Sequence, residues 1–292
     1  MIIKNQSVYA LGEDLESAIH VPLGKTIEIY TKDCFDNQVT SEDYEMHCFD
    51  WNHVNPATGP LYIEGVQAGD VLKIEIIDID LDEYGTMCAM PEEGVLGKDV
   101  EETSFKKVKV EKDFCFFNDL KLPLRPMIGV IGVAPKGEPV ATGTPSSHGG
   151  NMDNVKITTG TVLYLPVFRD GAYFACGDVH AAMGDGEVMG TGVEIGAKIT
   201  LRFDVIKNVS IEHPRMENDT MIYTIASDED MEKAIYMATK DMCSVLQKHL
   251  GYTLNDAGML MSLCGNLEIC QVVDPKRTVR MGIPKTVCDK IL

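Results

Sequence analysis

Short strands follow one another through the first two hundred residues, and no helical stretch separates them. Residues 26–30 and 71–79 alternate apolar and polar side chains, as half-buried strands do, and 127–134 form an apolar run short enough for a buried strand. The same reading predicts strands at 161–168, 172–176 and 198–206. A doubly wound α/β sheet needs crossover helices, so the pattern predicts a mainly β fold, either a sandwich or a barrel.

The pattern changes near residue 212. After a strand at 220–226, apolar residues follow helical spacing from Met231. Ser227 is the predicted helix cap, and Gly251 suits the left-handed stop. A second helix at 253–265 and strands at 268–273 and 279–283 complete the chain. We therefore expect a β-rich catalytic domain over 1–212 and an α+β unit over 213–292.

The net charge and the cysteines indicate which partners and which compartment to expect. The formal net charge is −19, which should repel phosphate backbones and anionic membrane surfaces, so neither nucleic acid nor membrane is an expected partner. Nine cysteines without a CxxC pair argue against a disulfide framework and favour reduced thiols. The first residues lack the apolar stretch of a signal peptide, and no run of about 18 apolar residues occurs. Together these features predict a cytoplasmic protein.

Potential ligands are concentrated in one glycine-rich stretch, residues 143–196. Eleven of the 26 glycines fall within it. Glycine lets the backbone turn sharply and approach a ligand, so this composition favours a site built from loops. The alternative is a set of β-turns with solvated acids. The polar candidates are His148, Asn151, Asp153, Asp178, His180, Asp185, Glu187 and Glu194.

Three pairs in this stretch are spaced at i and i+2. On an extended segment such residues share a face, with Cα atoms roughly 6.6 Å apart. Asp178 and His180 at that spacing can converge on one zinc-like ion. Asn151 with Asp153, and Asp185 with Glu187, repeat the geometry with oxygen donors. A single pair is more often a hydrogen-bonded strand end, but three pairs within about 40 residues favour a metal site.

A metal at this position would support hydrolysis. A bound ion lowers the pKa of water toward about 7, and the resulting hydroxide can attack a carbonyl group. A carboxylate must then move a proton to the departing group, a role that Glu194 or Asp185 could take. Asn151 would orient the substrate. Outside the glycine-rich stretch, Asp33, Asp36 and Asn37 follow the strand at 26–30, where acids often line a site rim.

Several segments together resemble the acetamidase/formamidase family, and its acetamidase-like branch in particular. They are 149–153 (Gly-Gly-Asn-Met-Asp), 164–168 (Tyr-Leu-Pro-Val-Phe), 177–180 (Gly-Asp-Val-His), 184–188 (Gly-Asp-Gly-Glu-Val) and 55–60 (Asn-Pro-Ala-Thr-Gly-Pro). The resemblance implies a jelly-roll-like β-sandwich core with an additional small β-barrel-like part and a C-terminal α+β unit. It also implies a homodimer, a divalent metal and hydrolysis of short linear amides such as acetamide and formamide.

These considerations give each candidate residue an expected role. The resemblance carries over Asn151, Asp153, Asp178, His180, Asp185, Glu187 and Glu194. We expect Glu194, Asp185 and Glu187 to be catalytic, Asn151 and His148 to bind substrate, and Asp178, His180, Asp153 and Asp36 to bind metal. Zn²⁺ is the expected ion and Ca²⁺ the alternative. The competing hypothesis is a non-catalytic β-sandwich module that binds a divalent cation or a small ligand.

Overall fold

The computed structural model describes residues 1–14 and 18–292, and most of its secondary structure is β. The first half of the chain forms strands β1 Ile2–Ile3, β2 Ser7–Val8, β3 Ala10–Leu11, β4 Ile19–Val21, β5 Thr26–Thr31, β6 Ala57–Ile63, β7 Val71–Leu81, β8 Tyr84–Ala89, β9 Ser104–Glu111, β10 Phe114–Phe117, β11 Leu120–Pro123 and β12 Met127–Gly132. The second half forms β13 Val140–Ala141, β14 Gly149–Asn151, β15 Val162–Pro166, β16 Phe174–His180, β17 Glu194–Ile195, β18 Ala197–Ile206, β19 Arg215–Glu217, β20 Met221–Asp228, β21 Asn266–Gln271 and β22 Arg277–Pro284. The helices are α1 Met231–Leu250 and α2 Leu254–Cys264, with short 3-10 turns at Met46–Cys48 and Gly97–Asp99.

Two large sheets pack on a shared core. The first has the order β1-β5-β18-β7-β15-β19-β20-β22-β21. The second runs β11-β10-β9-β8-β17-β16-β12-β14, and β6 pairs with β16 and also with β2 and β4. One hydrophobic cluster contains Ile27 and Phe203 from the first sheet and Ile131 and Phe174 from the second. The rings of Phe174 and Phe203 lie 4.8 Å apart between centroids, so this core lies between the sheets.

The predicted mainly β class with a C-terminal helical unit is therefore confirmed, with one correction. Within the described part of the chain the strands form open sheets and no closed barrel, so the expected barrel-like part is wrong. The physical reason is that β10 and β11 end the second sheet as a hairpin whose outer strand stays exposed, instead of pairing back to close a ring.

The C-terminal region combines α1 and α2 with four strands. The cap of α1 is Asp230, whose side chain accepts hydrogen bonds from the backbone N–H groups of Glu232 and Lys233. The predicted cap Ser227 is instead the seventh residue of β20. The predicted stop is confirmed, since Gly251 has a φ of 70°. In the first sheet β15 pairs with β19, and these strands lie on opposite sides of the expected boundary at residue 212. The division into two units therefore stays a prediction.

Two global expectations concern cysteines and membrane spans. All nine cysteines are free, as expected for reduced thiols. Among the residues that the structure describes, no helix is both long enough and apolar enough to cross a membrane.

Candidate active site

Strand β16 places Asp178 and His180 in the interior. All seven residues of this strand are buried. Asp178 has a φ of 55°, a left-handed value that acidic side chains tolerate better than most. The neighbouring strand β12 has Gly129 at this level, and a Cβ there would lie 2.4 Å from Asp153 Oδ1 and 2.5 Å from Asp178 Oδ2. Gly129 is therefore required so that the two carboxylates can approach each other.

The imidazole of His180 is surrounded by carboxylates from other elements. Glu194 lies opposite His180 in the β16–β17 pairing, and Asp153 follows β14. His180 Nε2 is 3.0 Å from Glu194 Oε2, 3.4 Å from Asp178 Oδ1 and 3.9 Å from Asp153 Oδ1. The backbone N–H of Gly192 donates to Glu194 Oε1 at 2.8 Å, which fixes that carboxylate and leaves Oε2 facing the imidazole.

Several polar atoms of this cluster are buried without a hydrogen-bond partner. They are both carboxylate oxygens of Asp153, His180 Nε2, Glu187 Oε2, Glu194 Oε2 and Asn151 Oδ1. The short contacts to His180 Nε2 therefore lack hydrogen-bond geometry. An unpartnered buried carboxylate is costly, and the described residues place no lysine or arginine against these atoms. The cluster has the composition of a cation site.

The electrostatics point the same way. Burial, with the nearby Asp178 carboxylate, raises the pKa of Asp153 to about 7. Burial also raises the pKa of Glu194 to about 8, and it raises the pKa of Glu187 well above its usual range. For His180, burial opposes the charged form, but the Glu194 and Asp178 carboxylates outweigh it and raise its pKa well above 6.5. Without a bound cation, these groups therefore favour their protonated forms.

The cluster opens into a cavity of about 130 Å³. Its polar lining includes Asn151, Asp178, Glu187, Glu194 and Asp274. The sequence reading missed Asp274, which comes from the connection between β21 and β22 and belongs to no motif. Burial raises the pKa of Asp274 well above its usual range, with the Asp153 carboxylate contributing.

The sequence reading also missed Cys34. Its Sγ lies within 4.8 Å of carboxylate oxygens of Asp178 and Glu194, although its neighbours Asp33 and Asp36 had been noticed. Burial and the Glu194 carboxylate raise the pKa of the Cys34 thiol well above 9, which disfavours a thiolate nucleophile. The acidic residues after β5 mark this segment in the sequence. They indicate Asp33 and Asp36 as candidates, and not the thiol of Cys34 that lies between them.

Three predicted residues lie outside the cluster. Asp185 forms a two-pronged ion pair with the buried Arg280, at 2.9 and 2.6 Å. Asp36 pairs with Lys32 and accepts a hydrogen bond from the Tyr9 hydroxyl. His148 is buried, and burial lowers its pKa to about 4. Their predicted roles in proton transfer, metal binding and substrate binding stay predictions, and the geometry does not bring them to the cavity.

The remaining six predicted residues come together. Asn151, Asp153, Asp178, His180, Glu187 and Glu194 all lie in the cluster or line its cavity. Donor atoms of Asp153, His180 and Glu187 lie within 4.8 Å of one another. Tetrahedral zinc ligands at 2.0–2.1 Å lie roughly 3.3 Å apart, close to the separation of His180 Nε2 and Asp178 Oδ1. One imidazole among carboxylates suits zinc better than calcium, which takes only oxygen ligands.

The chain is similar to proteins of a known family over almost its whole length. The model of the Acetamidase/Formamidase family matches residues 7–142 and 137–290, which is nearly the whole chain. The chain belongs to the acetamidase/formamidase family. An acetamidase of Mycolicibacterium smegmatis is 23% identical over 261 residues, which cover 66% of this chain and 64% of that one. The chain spans less than two thirds of the length of the curated relatives that it matches most extensively.

Solved structures of family members are similar over their full length. The crystal structure of an acetamidase from Bacillus halodurans has a TM-score of 0.96 and 42% identity, covering 100% of this chain and 99% of that one. A protein described as a predicted acetamidase/formamidase, from Thermoanaerobacter tengcongensis, has a TM-score of 0.94 and 42% identity over 97% of this chain and 95% of that one. The family resemblance drawn from short segments of sequence is confirmed.

Proposed function

We propose that the protein hydrolyses short linear amides, such as acetamide and formamide, to a carboxylate and ammonia with the help of a bound divalent metal. The observation that supports this most directly is the buried group of Asp153, Asp178 and His180, in which both carboxylate oxygens of Asp153 and His180 Nε2 lack hydrogen-bond partners. Family membership supports the reaction class, and the small cavity beside these atoms suits a small substrate.

Asp153, Asp178 and His180 would hold the ion, with Zn²⁺ favoured by the imidazole. When bound, the ion supplies Lewis-acid polarisation and lowers the pKa of a water molecule. The unpartnered Oδ1 of Asn151 can accept a hydrogen bond from the substrate N–H₂ group and so orient the amide. This orientation presents the carbonyl carbon to attack.

An amide cannot lose its nitrogen as an anion, so a carboxylic acid must deliver a proton to it. Glu194 suits this role because burial raises its pKa to about 8, and its Oε2 is free of hydrogen bonds. Glu187 lines the same cavity and has a raised pKa as well, so it is the second candidate for the same step. Asp185 would act indirectly, by holding the segment that carries Glu187.

The expected assembly is a homodimer and the expected location is the cytoplasm. Both remain proposals, which sedimentation analysis and fractionation would test.

The deciding experiment measures ammonia release from formamide and acetamide by purified protein, before and after chelation and after Zn²⁺ or Ca²⁺ is added back. Metal-restorable turnover that Glu194→Gln reduces supports the proposal. The conservative variant Glu229→Gln, at an exposed position between β20 and α1, is the matched control and should keep full activity. Bound metal without turnover of any amide would instead support the non-catalytic binding module.

A further inference from the structure

The cavity beside the carboxylates has an apolar part that the hydrolysis of formamide does not require. Besides its polar groups it is lined by Phe35, Met46, Phe49, Met90 and Phe105. These residues belong to one small cluster that is separate from the main core: Phe35, Phe49 and Phe105 are its buried centre, and Met46 and Met90 pack against it. Because the residues contact one another, they form a continuous apolar wall and not scattered surface contacts.

The aromatic rings of this wall are held in edge-to-face contacts. Phe35 lies 6.2 Å from Phe49 and 5.8 Å from Phe105 between ring centroids. Trp51, the single tryptophan of the chain, contacts Phe49 at 4.9 Å and also lines the cavity. Its side chain is 60% exposed, so it stands where the cavity meets solvent. Aromatic wall residues are rigid, whereas Met46 and Met90 can adapt to different shapes.

We infer that this wall is an acyl-binding pocket and that the preferred substrates are neutral amides whose apolar acyl chain is longer than acetyl. The inference rests on the proposed amide hydrolysis and names the substrate class for that same site. Trp51 and Met90 are the residues assigned to set chain-length preference.

The volume of the cavity supports an acyl chain longer than acetyl. A volume of about 130 Å³ is close to the roughly 150 Å³ of an apolar protein cavity that holds benzene and its six carbon atoms, whereas formamide has only three non-hydrogen atoms. The cavity is nevertheless smaller than the roughly 300–1,000 Å³ of pockets for drug-sized ligands. Acyl chains of roughly three to four carbons, which give amides of about five to six non-hydrogen atoms, fit between these limits.

The charge of the lining excludes another class of substrate. Asp178, Glu187, Glu194 and Asp274 line the cavity, and among the described residues no lysine, arginine or histidine lines it. A carboxylate on the acyl chain would lie among these acids in a poorly hydrated site without a cationic side chain as a partner. Amides of dicarboxylic acids should therefore be rejected even when their length is right.

The test compares kcat/KM of the metal-loaded protein for formamide, acetamide, propionamide and butyramide, with succinamate as the anionic analogue. Each added methylene that contacts the wall should raise kcat/KM by ~4-fold. Succinamate should not be hydrolysed. Met90→Phe fills the pocket and should lower the ratio of butyramide to acetamide turnover by about tenfold.

A second variant covers the case in which Met90→Phe does not fold. Trp51→Ala removes an exposed ring and should reduce the gain from acetamide to butyramide. Tyr236→Ala, which removes a 66% exposed ring on α1, is the control and should leave the series unchanged. If acetamide is hydrolysed but kcat/KM does not rise with acyl length, the acyl pocket is refuted and the proposed amide hydrolysis is kept. The same holds if both variants lower kcat/KM equally for all amides. If folded, metal-loaded protein hydrolyses no amide, both proposals fail.

Discussion

Metal-stripped protein should lose stability as the pH rises from about 5.5 to 8.0, and metal-loaded protein should lose much less. The pKa of Asp153 is raised to about 7 and that of Glu194 to about 8, so the folded state holds protons that the unfolded state has released. The pKa of His180 is raised as well, which also makes the folded state bind more protons. Since the unfolded state binds fewer protons throughout this range, the free energy of unfolding falls as the pH rises.

The magnitude follows from the same two carboxyl groups. Each pH unit between about 5.5 and the folded-state pKa of a group lowers the free energy of unfolding by about 1.36 kcal/mol. Asp153 therefore contributes a loss of about 2 kcal/mol and Glu194 a loss of about 3 kcal/mol over this interval. The groups interact, so their sum of about 5 kcal/mol is an upper bound. That is a large share of the roughly 5–15 kcal/mol by which domains are stable.

Urea unfolding followed by circular dichroism, at both pH values and with chelated and zinc-loaded samples, measures the effect. Asp153→Asn should remove roughly 2 kcal/mol of the pH-dependent loss in the chelated sample. Asp43→Asn, at an exposed position, should not change it. Chelated protein that is equally stable or more stable at the higher pH would show that the cluster is not a set of buried, cation-seeking carboxylates.

Three further outcomes are expected. His180→Ala should abolish stoichiometric metal, measured by elemental analysis, and lower kcat/KM for acetamide by about 10³-fold or more; retained metal would contradict the assignment. Gly129→Ala would place a methyl group 2.4 Å from Asp153 Oδ1, so metal should be lost and stability should fall by about 1–3 kcal/mol, whereas Gly137→Ala meets no atom within 4 Å and should be neutral in both measurements. Arg280→Met leaves the partly exposed Asp185 unpaired and removes the hydrogen bond to the buried Asn154 Oδ1, so it should cost about 1–3 kcal/mol in urea unfolding together with a lower kcat; full stability would refute a structural role for the pair.

The regular elements were predictable because their signals are local. Period-two alternation located β5 and β7, and helical spacing located α1 with its left-handed stop at Gly251. The limits of β16 were not predictable, since Gly177, Asp178 and His180 are typical of a loop. In the structure they continue a fully buried strand, because their polar side chains face one another and not the apolar core. The hairpins between 84 and 123 were not predicted, because β11 is exposed on every residue and carries no core pattern.

The site was predictable only as far as its residues lie together in the sequence. The i, i+2 spacing found Asp178 with His180, and Glu194 was found through the same glycine-rich stretch. Cys34 lies 109 residues before that stretch and Asp274 lies 78 residues after it, and no local pattern marks them as residues of the cavity. The position of Asp185 outside the cluster was not predictable for a similar reason, since its partner Arg280 lies 95 residues further along the chain.

The C-terminal unit contributes to the candidate site. Gly186 pairs with Gln271 as an isolated bridge, and the backbone N–H of Gly186 donates to the carbonyl of Cys270 at 2.8 Å. With the Arg280–Asp185 ion pair, these contacts hold Asp185 and Gly186, the two residues directly before Glu187. The Gln271 side chain accepts from the backbone N–H of Asp274 at 3.1 Å and so fixes the loop that brings this carboxyl to the cavity. Residues 213–292 therefore support the candidate site directly, because contacts across the expected boundary hold the residues before Glu187, and the C-terminal unit itself supplies Asp274.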